Sequence, residues 1–521
     1  GFNQDFAWSH TVSTGQRFTF YSLDLVDGDP FSYRYGDEVR SITPNPVSIE
    51  VMTASGAIEE RTETIYTSHY GPILDLGLVE GAIGGWPNAD GQVFTFRDAN
   101  INNSRAIEQF LRIGQARSVD DVDQALRIVG LPWVNTIAAD REGNAYYADV
   151  TTVPGVSAEL LNECADNFTL QAITAGGTTA LNGSRPECEW ATASDGPDGL
   201  LGFDQLPKLR TRDYVGNSND SYWLSNPDQL LTGFSPLIGL ENVEQTLRTR
   251  LAFVQAEDRL AGRDELGESG FTVESVQELM FGNRDLASEL IRADVLTLCD
   301  GVEDWSGGDC EGAPYSANAA EAARACDILR NWDGLYDNES VGAGLWNEFW
   351  RLVRGTPDLW AVPFDPSDPV GTPRGLSTEP AIGEAVRCTV GAAVDLMMTR
   401  ETPIDRPWGE LQFRPVGDQR IPIHGGSGRS TFSVISSRFV DGQGYADIPT
   451  GNSYIQTVTW TEDPACPDAY AVLTYSQSTN PASPFFADQT QLYADKAWND
   501  MPFCAADVEG STVSTTTVTS N

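Results

Sequence analysis

The sequence predicts an α+β fold, because its apolar pattern changes twice along the 521 residues. Near the start, apolar and polar residues alternate over 6–12 and again over 18–25, which predicts two strands with an irregular joint between them. A helical repeat then dominates 241–400, beginning with a strong helix over 241–260. From residue 409 onward the alternation typical of strands returns.

We expect these regions to form a single unit spanning 1–521. Within it, 1–240 is predicted as a β-rich core, 241–400 as a mainly helical region and 401–510 as a β-rich return to the core. The tail 511–521 consists mostly of Ser and Thr, a composition that predicts disorder.

Four shorter segments refine this organisation. The stretch 134–149 has two alternating runs around a Glu-Gly-Asn turn, which predicts a hairpin. The segment 47–74 also has a strand pattern, and 103–129 predicts helices with acidic residues early in the second one. No regular element is predicted for 157–213.

The charge balance excludes some classes of partner. The chain has 33 basic and 75 acidic residues, so its net charge is −42. A charge of this sign argues against binding to nucleic acid or to an anionic membrane surface. The sequence also has no apolar run of the roughly 18 residues that a membrane span needs. We expect no nucleic-acid partner and no membrane span.

The eight cysteines indicate disulfide bonds rather than a metal site. No two of them form a CxxC pair and the chain has only three His, which argues against zinc. An even number of scattered cysteines is typical of an oxidising compartment, so we expect a periplasmic or secreted protein. Cys164–Cys188 and Cys466–Cys504 are plausible local pairs, but other connectivities remain open.

Four motifs carry a resemblance to a known family. They are GFNQDFAWSHTV at the start, the hairpin segment 130–156, YVGNSNDSYW at 214–223 and the segment 470–490. Alone, the first motif is also typical of an ordinary buried hairpin. Together and in this order, the motifs resemble penicillin-acylase-type N-terminal-nucleophile hydrolases, most closely the acyl-homoserine-lactone and lipopeptide acylases. The resemblance implies an αββα sandwich with a helical insertion, incomplete here at its N-terminus.

The resemblance also implies an oxyanion hole, the pair of N–H donors that stabilises the negative oxygen of a tetrahedral intermediate. In the family, the backbone N–H at the position of Val12 and an Asn side chain at the position of Asn217 fill this role. Asn219 is the second choice for the Asn, because Gly216 stands where relatives often carry a larger polar residue.

Three further site residues follow from the same resemblance. An Arg shortly after the Asn motif stabilises the active-site hydrogen-bond network in the family, and Arg250 matches it better than Arg248. A plain surface charge is the alternative for both. Trp133 and Val134 match the residues that line the acyl pocket, and a purely structural role in the core is compatible with that function.

The remaining conspicuous residues are predicted to be structural. His69 lies at a strand end, where a hydrogen-bonding role is more common than catalysis. His424 lies in a glycine-rich loop, but a strand-like run over 430–440 follows this loop where a phosphate-binding loop needs a helix. The aromatic helical face of Trp346 and Phe349, with Trp350, is predicted to be core rather than a cofactor site.

The catalytic scheme implied by the resemblance is amide hydrolysis by an N-terminal Ser whose own α-amino group acts as the base. Residue 1 is Gly, so we expect that the segment carrying this Ser is missing and that the chain alone is inactive. Ser9 belongs to the oxyanion strand and cannot replace the nucleophile. Gln16 and Thr19 stand where some relatives bind calcium through Asp, so no metal and no cofactor are predicted.

The resemblance thus predicts an acylase that removes an apolar acyl chain from an N-acyl small molecule. Acyl-homoserine lactones are the first choice of substrate, with lipopeptides or β-lactams second. A small α subunit from the same precursor is the expected partner. The alternative from a different class is a non-catalytic secreted binding protein built on the same scaffold.

Overall fold

The computed structural model describes residues 1–74, 91–460 and 466–517. The chain divides into two compact units. The first contains Gly1 and Phe6–Glu241, and the second contains Phe2–Asp5 and the chain from Asn242 onward. That both belong to a single acylase unit stays a prediction.

The first unit contains mainly strands. Its strands are β1 Phe6–Val12, β2 Phe18–Val26, β3 Asp29–Tyr35, β4 Glu38–Ser41, β5 Thr43–Met52, β6 Ile58–Thr67, β7 Ile73–Leu74, β8 Gln92–Asp98, β9 Val134–Asp140, β10 Ala145–Ala148, β11 Ala180–Asn182 and β12 Lys208–Thr211. Its helices are α1 Ala106–Gln115, α2 Val119–Leu126, α3 Ala158–Cys164 and α4 Phe168–Ala175. The two strands and the hairpin predicted from the alternating pattern are confirmed.

Two sheets organise the strands of this unit. The first is antiparallel with the order β1-β9-β10-β12, and the second has the order β4-β3-β2-β8-β7 with β11 parallel to β2. In β2, Thr19, Tyr21 and Leu23 are fully buried, whereas Phe18 is exposed and Phe20 is half-buried. The prediction that Phe18 and Phe20 share the apolar face with Leu23 is therefore wrong, because the protein covers the opposite face at this end of β2. The β5 and β6 strands form a separate hairpin.

The prediction that 157–213 has no regular structure is wrong. Ser157 accepts a hydrogen bond from the backbone N–H of Leu160, and Asn167 accepts one from that of Leu170, so each caps the start of a helix. The resulting helices α3 and α4 have only 7 and 8 residues. Helices this short show little periodicity and depend on tertiary packing, which explains why the pattern did not predict them.

The second unit contains most of the helices. They are α5 Leu247–Ala261, α6 Val273–Phe281, α7 Leu286–Asp300, α8 Ala319–Asn331, α9 Ala343–Val353, α10 Pro380–Thr399, α11 Trp408–Leu411, α12 Asp488–Ala494 and α13 Ala505–Ser511. Its strands are β13 Trp360–Val362, β14 Arg374–Leu376, β15 Phe413–Val416, β16 Gln419–Pro422, β17 Ile435–Val440, β18 Gly444–Gly451, β19 Tyr454–Trp460, β20 Pro467–Leu473 and β21 Asn499–Asp500.

Two boundaries in this unit differ from the prediction. The helix expected from residue 241 begins at Leu247, after Thr246 caps it and after Asn242, whose φ of 57° is incompatible with a right-handed helix. The strand expected over 430–440 begins only at Ile435.

The core of the second unit is aromatic. Trp346 and Phe349 are fully buried and Trp350 is nearly so, which confirms the prediction that this helical face belongs to the core. The indole N–H of Trp346 donates to Asp285 over 2.8 Å, and Asp285 also accepts the backbone N–H of Ser288 at the start of α7. The buried carboxylate thus joins two helices of the core.

Four disulfides link all eight cysteines. The two predicted pairs, Cys164–Cys188 and Cys466–Cys504, are present, together with Cys299–Cys326 and Cys310–Cys388. Across the described residues, none of the helices combines the length and the apolar composition that a bilayer-crossing helix needs. The predicted tail begins within α13, and its last residues, 518–521, lie outside the described part.

Candidate active site

The joint between β1 and β2 is the first part of the site. Val12 ends β1 and lies directly opposite Val134 of β9, and the next backbone N–H, that of Ser13, donates to the carbonyl oxygen of Trp133 over 3.0 Å. The Ser13 hydroxyl then accepts the N–H of Gly15 over 2.8 Å, which turns the chain out of the strand. Register and turn therefore place Val12 beside the two predicted pocket residues.

Asn217 lies in the loop after β12, and its carboxamide has a defined orientation. Its Oδ1 accepts the backbone N–H of Asn219 over 2.8 Å and the Thr11 hydroxyl over 3.1 Å. Because a backbone N–H can only donate, the carbonyl oxygen must face this side. The Asn217 NH₂ group faces the other way and donates one hydrogen to the carbonyl oxygen of Asp220 over 3.0 Å.

Asn135 connects the loop to the strand. Its Nδ2 lies 3.3 Å from the carbonyl oxygen of Val12, 3.1 Å from Thr11 Oγ1 and 3.3 Å from Asn217 Oδ1. Its Oδ1 accepts the hydroxyl of Tyr147 over 2.7 Å, and both side chains are fully buried. Burial raises the pKa of Tyr147 well above its usual value, so the phenol stays a donor.

Sequence reasoning missed Asn135, because the alternating buried residues of β9 are Thr136, Ala138 and Asp140 and Asn135 lies out of phase with them. Its proximity to Trp133 and Val134 was the one available signal. A buried amide in a strand requires hydrogen-bond partners. Asn219, the second choice for the oxyanion Asn, also reaches this neighbourhood, since its Nδ2 lies 3.4 Å from the carbonyl oxygen of Val12.

The predicted pocket residues contribute exposed apolar surface. The exposed fraction is 51% for Val12 and 44% for Trp133, while Val134 is half-buried. The guanidinium carbon of Arg17 lies 5.6 Å from the centre of a Trp133 ring. An apolar surface at the end of this strand pair is a suitable contact for an acyl chain, and the roles of both residues stay predictions.

Two titratable side chains, one buried and one half-buried, flank the strand pair. Asp149 accepts the Ser13 hydroxyl over 2.8 Å, and burial raises its pKa to about 7. His10 has Nδ1 within 3.2 Å of the carbonyl oxygen of Asn135, and burial lowers its pKa. A His with a lowered pKa is neutral at pH 7, which makes Nδ1–H a donor to that carbonyl.

Arg250 belongs to the second unit and is almost fully buried. Its Nε donates to the carbonyl oxygen of Val370 over 3.0 Å. Burial lowers its pKa to about 10, and the nearby charges of Glu244 and Asp368 act in the opposite direction. A surface charge, the alternative interpretation, is therefore wrong, and a role in the active-site network stays a prediction.

The other two histidines have structural partners. The Nδ1 of His69 lies 2.7 Å from the Tyr33 hydroxyl, and its Nε2 lies 3.3 Å from Glu189, whose pKa is lowered to about 2 chiefly by that contact. His424 is buried with Nε2 at 2.8 Å from the carbonyl oxygen of Tyr493, and burial lowers its pKa to about 4.

The two residues at the positions where some relatives bind calcium make structural hydrogen bonds instead. Gln16 accepts the backbone N–H of Thr179 over 2.8 Å, and Thr19 accepts the indole N–H of Trp190 over 2.9 Å. Within the ranges that the structure describes, no group of three or more His, Cys, Asp or Glu side chains is arranged to hold a metal ion.

These features define a class. Residues 1–510 match the family model for penicillin amidase, so the chain belongs to the penicillin amidase family. In fold it is similar to the thermostable penicillin G acylase from Alcaligenes faecalis, with a TM-score of 0.59 over 100% of this chain and 89% of that one at 15% sequence identity. The predicted α+β fold of this hydrolase class is confirmed, whereas the αββα order of its helical and sheet layers stays a prediction.

Two curated relatives are more similar in sequence. Aculeacin-A acylase from Actinoplanes utahensis is 37% identical over 98% of this chain and 62% of its own length. The acyl-homoserine lactone acylase PvdQ from Pseudomonas syringae pv. syringae (strain B728a) is 33% identical over 96% of this chain and 61% of its own. The chain thus spans about three-fifths of the length of these relatives.

Proposed function

We propose that the whole protein is an acylase that hydrolyses the amide bond of an N-acyl substrate and releases an apolar acyl group. The convergence of Val12 and Asn217 on the Asn135 side chain carries this proposal. The backbone N–H of Val12 and the Asn217 NH₂ group are the donors for the oxyanion. Two such N–H donors stabilise the transition state because their dipoles already point at the oxygen before negative charge develops on it.

The nucleophile of this proposal is an N-terminal Ser outside these 521 residues. Its hydroxyl attacks the amide carbon while its α-amino group takes the proton. That proton passes to the leaving nitrogen as the C–N bond breaks, so the amine departs and an acyl-enzyme ester remains. Water then attacks the ester carbon, and the acid is released with the Ser hydroxyl restored. A small α subunit from the same precursor completes the protein, and its location is periplasmic or secreted, which four disulfides support.

The substrate assignment rests on the apolar surface of Trp133 and Val134. We propose an acyl-homoserine lactone first, with lipopeptides and β-lactams as the other substrates to be compared. The names of the relatives, which include acylases of both aculeacin A and acyl-homoserine lactones, support an acylase without choosing between these leaving groups. Arg250 is proposed to support the active-site hydrogen-bond network.

The test is release of free amine by the complete protein from N-acyl-homoserine lactones of increasing chain length, an N-acyl peptide and penicillin G. For a hydrolysed substrate, Asn217→Ala should lower kcat by about 10²–10³-fold, since one oxyanion donor is lost. Asn102→Ala, which changes an exposed loop residue of the same unit, should leave kcat unchanged.

Two results would contradict the proposal. Absence of amine release from every substrate would favour the non-catalytic binding protein. A large loss of kcat in Asn219→Ala with little loss in Asn217→Ala would show that the oxyanion Asn is misassigned by two positions.

A further inference from the structure

A cavity of about 380 Å³ lies within the second unit, between α9, α10 and β17. Its charge is opposite to that of the chain as a whole. Four lining side chains are arginines, while Glu348 is the one carboxylate among the described lining residues; the arginines are Arg351, Arg400, Arg429 and Arg438. The whole chain has a net charge of −42, whereas the cavity lining has four positive charges and one negative charge. Positive charge is therefore in local excess at the cavity.

The single carboxylate is already fully engaged. Glu348 is buried, with Oε1 at 2.7 Å from Arg400 and Oε2 at 2.6 Å from Arg351. The Tyr445 hydroxyl also donates to Oε1. Three donors therefore share one carboxylate, which leaves it no capacity to neutralise the other two arginines of the cavity.

The other arginines are weakly compensated. Arg429 makes no ion pair or hydrogen bond to any residue in the described ranges, and Arg438 has Asp447 only at 3.6 Å. The pKa of neighbouring Arg354 is lowered, first by burial and then by the positive charges of Arg429 and Arg351. Arg429 and Arg351 thus act on Arg354 as like charges, and a cleft with an excess of one charge sign concentrates counter-ions.

Two aromatic residues shape the wall of the cavity. Trp350 lines the cavity and is 6% exposed, and its indole N–H has no acceptor within the part of the chain that the structure describes. That nitrogen has almost no accessible surface, so Trp350 contributes its ring and not its N–H to the cavity wall. Arg400 also stacks on Phe439 with 4.3 Å to the ring centre, which holds its guanidinium plane in place.

We propose that this cavity binds a small multivalent oxyanion, of the phosphate or polycarboxylate type, through Arg429 and Arg438. Guanidinium groups match the planar or tetrahedral oxygen sets of such anions with paired hydrogen bonds. More than one uncompensated charge favours a multivalent ligand over a monovalent one. This site is additional to the acylase reaction, which uses no anion there.

The experiment is calorimetric titration of the protein with inorganic pyrophosphate and with citrate, at constant ionic strength set with NaCl. Acetate is the monovalent comparison. We expect both multivalent anions to bind and acetate not to bind. Arg429→Gln should weaken binding by at least about tenfold, as expected for loss of a charge-assisted pair. The matched control Arg61→Gln, on the exposed face of β6, should change it by less than about twofold.

Arg438→Gln provides a second variant, which removes the other proposed guanidinium contact. Weaker binding in this variant, with an unchanged thermal midpoint in the absence of anion, supports the proposal. Absence of binding by both multivalent anions overturns the proposal. Equal affinities in the wild type, Arg429→Gln and Arg61→Gln overturn it as well, because that result indicates nonspecific attraction. Amine release plays no part in the readout, so failure here is distinct from failure of the acylase proposal.

Discussion

The side-chain nitrogen of Asn135 lies 3.3 Å from the side-chain oxygen of Asn217, although 82 residues separate them along the chain. The same nitrogen lies 3.3 Å from the carbonyl oxygen of Val12. One buried amide therefore connects the strand and the loop that carry the two proposed oxyanion donors. Because Asn135 is fully buried and bonds to the residues that carry the proposed donors, we assign it a positioning role.

We predict that Asn135→Ala lowers kcat by about 10–100-fold with little change in KM, because a misplaced donor weakens transition-state binding more than acyl contacts. The measurement is steady-state kinetics of amine release by the complete protein. Asn144→Ala is the matched control in the turn of the same hairpin, where, among the residues that the structure describes, the side chain bonds only to Asp140. The Asn144→Ala variant should be less stable than the wild type but should have the same kcat. An equal loss of kcat in Asn135→Ala and Asn144→Ala would contradict a positioning role.

Trp133 should determine the preference for the acyl chain. Trp133→Ala removes exposed apolar surface, so kcat/KM for long-chain substrates should fall by about 10–100-fold, whereas acetyl substrates should be nearly unaffected. Trp133→Phe should restore most of the loss. Phe168→Ala changes an aromatic residue that is 85% exposed elsewhere in the first unit and serves as the control. Equal losses for long and short acyl chains would argue against a pocket role.

Asp149 should give the stability of the protein a pH dependence of defined sign. Its pKa is raised from 3.8 to about 7 by burial, so between these values the folded state holds a proton that the unfolded state releases. Stability must therefore fall as pH rises from about 4 to about 7, by at most about 4 kcal/mol. Asn can accept the Ser13 hydroxyl without this penalty, so Asp149→Asn should be the more stable form above pH 7.

The measurement is urea unfolding of the wild type and Asp149→Asn at pH 5 and pH 8. Asp285 also has a pKa raised by burial, to about 6, and its contribution has the same sign. The quantity to compare is therefore the difference between variant and wild type at each pH. Parallel pH profiles would show that Asp149 does not titrate in this range.

The cysteines should all be oxidised in the native protein. Thiol titration in guanidinium without reductant should detect none of the eight thiols, and peptide mapping should give the four pairs of the structure. Reductant should lower the unfolding midpoint, since a bridge closing 78 residues contributes roughly 4.5 kcal/mol by loop entropy. A reactive thiol or a different pairing would contradict the disulfide assignment.

The sequence by itself was sufficient for the elements whose patterns are local. Alternation over 6–12 and 18–25 predicted β1 and β2, and helical periodicity predicted the long helices of the second unit. The family resemblance carried by the motifs, rather than any periodicity, predicted Val12, Asn217, Trp133 and Val134 as one set. Local patterns suffice here because side-chain direction along a strand or helix depends only on neighbouring residues.

Only the tertiary structure decided how these residues meet. The pairing of β1 with β9 places Val12 opposite Val134, and Thr11 reaches Asn217 across 206 residues of chain. Sequence patterns also failed to predict three other features. These are the short helix α3, the contacts of Asn135 with Val12 and Asn217, and the cavity lined by arginines. Each depends on contacts between segments distant in sequence, and periodicity within one segment carries no information about which other segment will cover it.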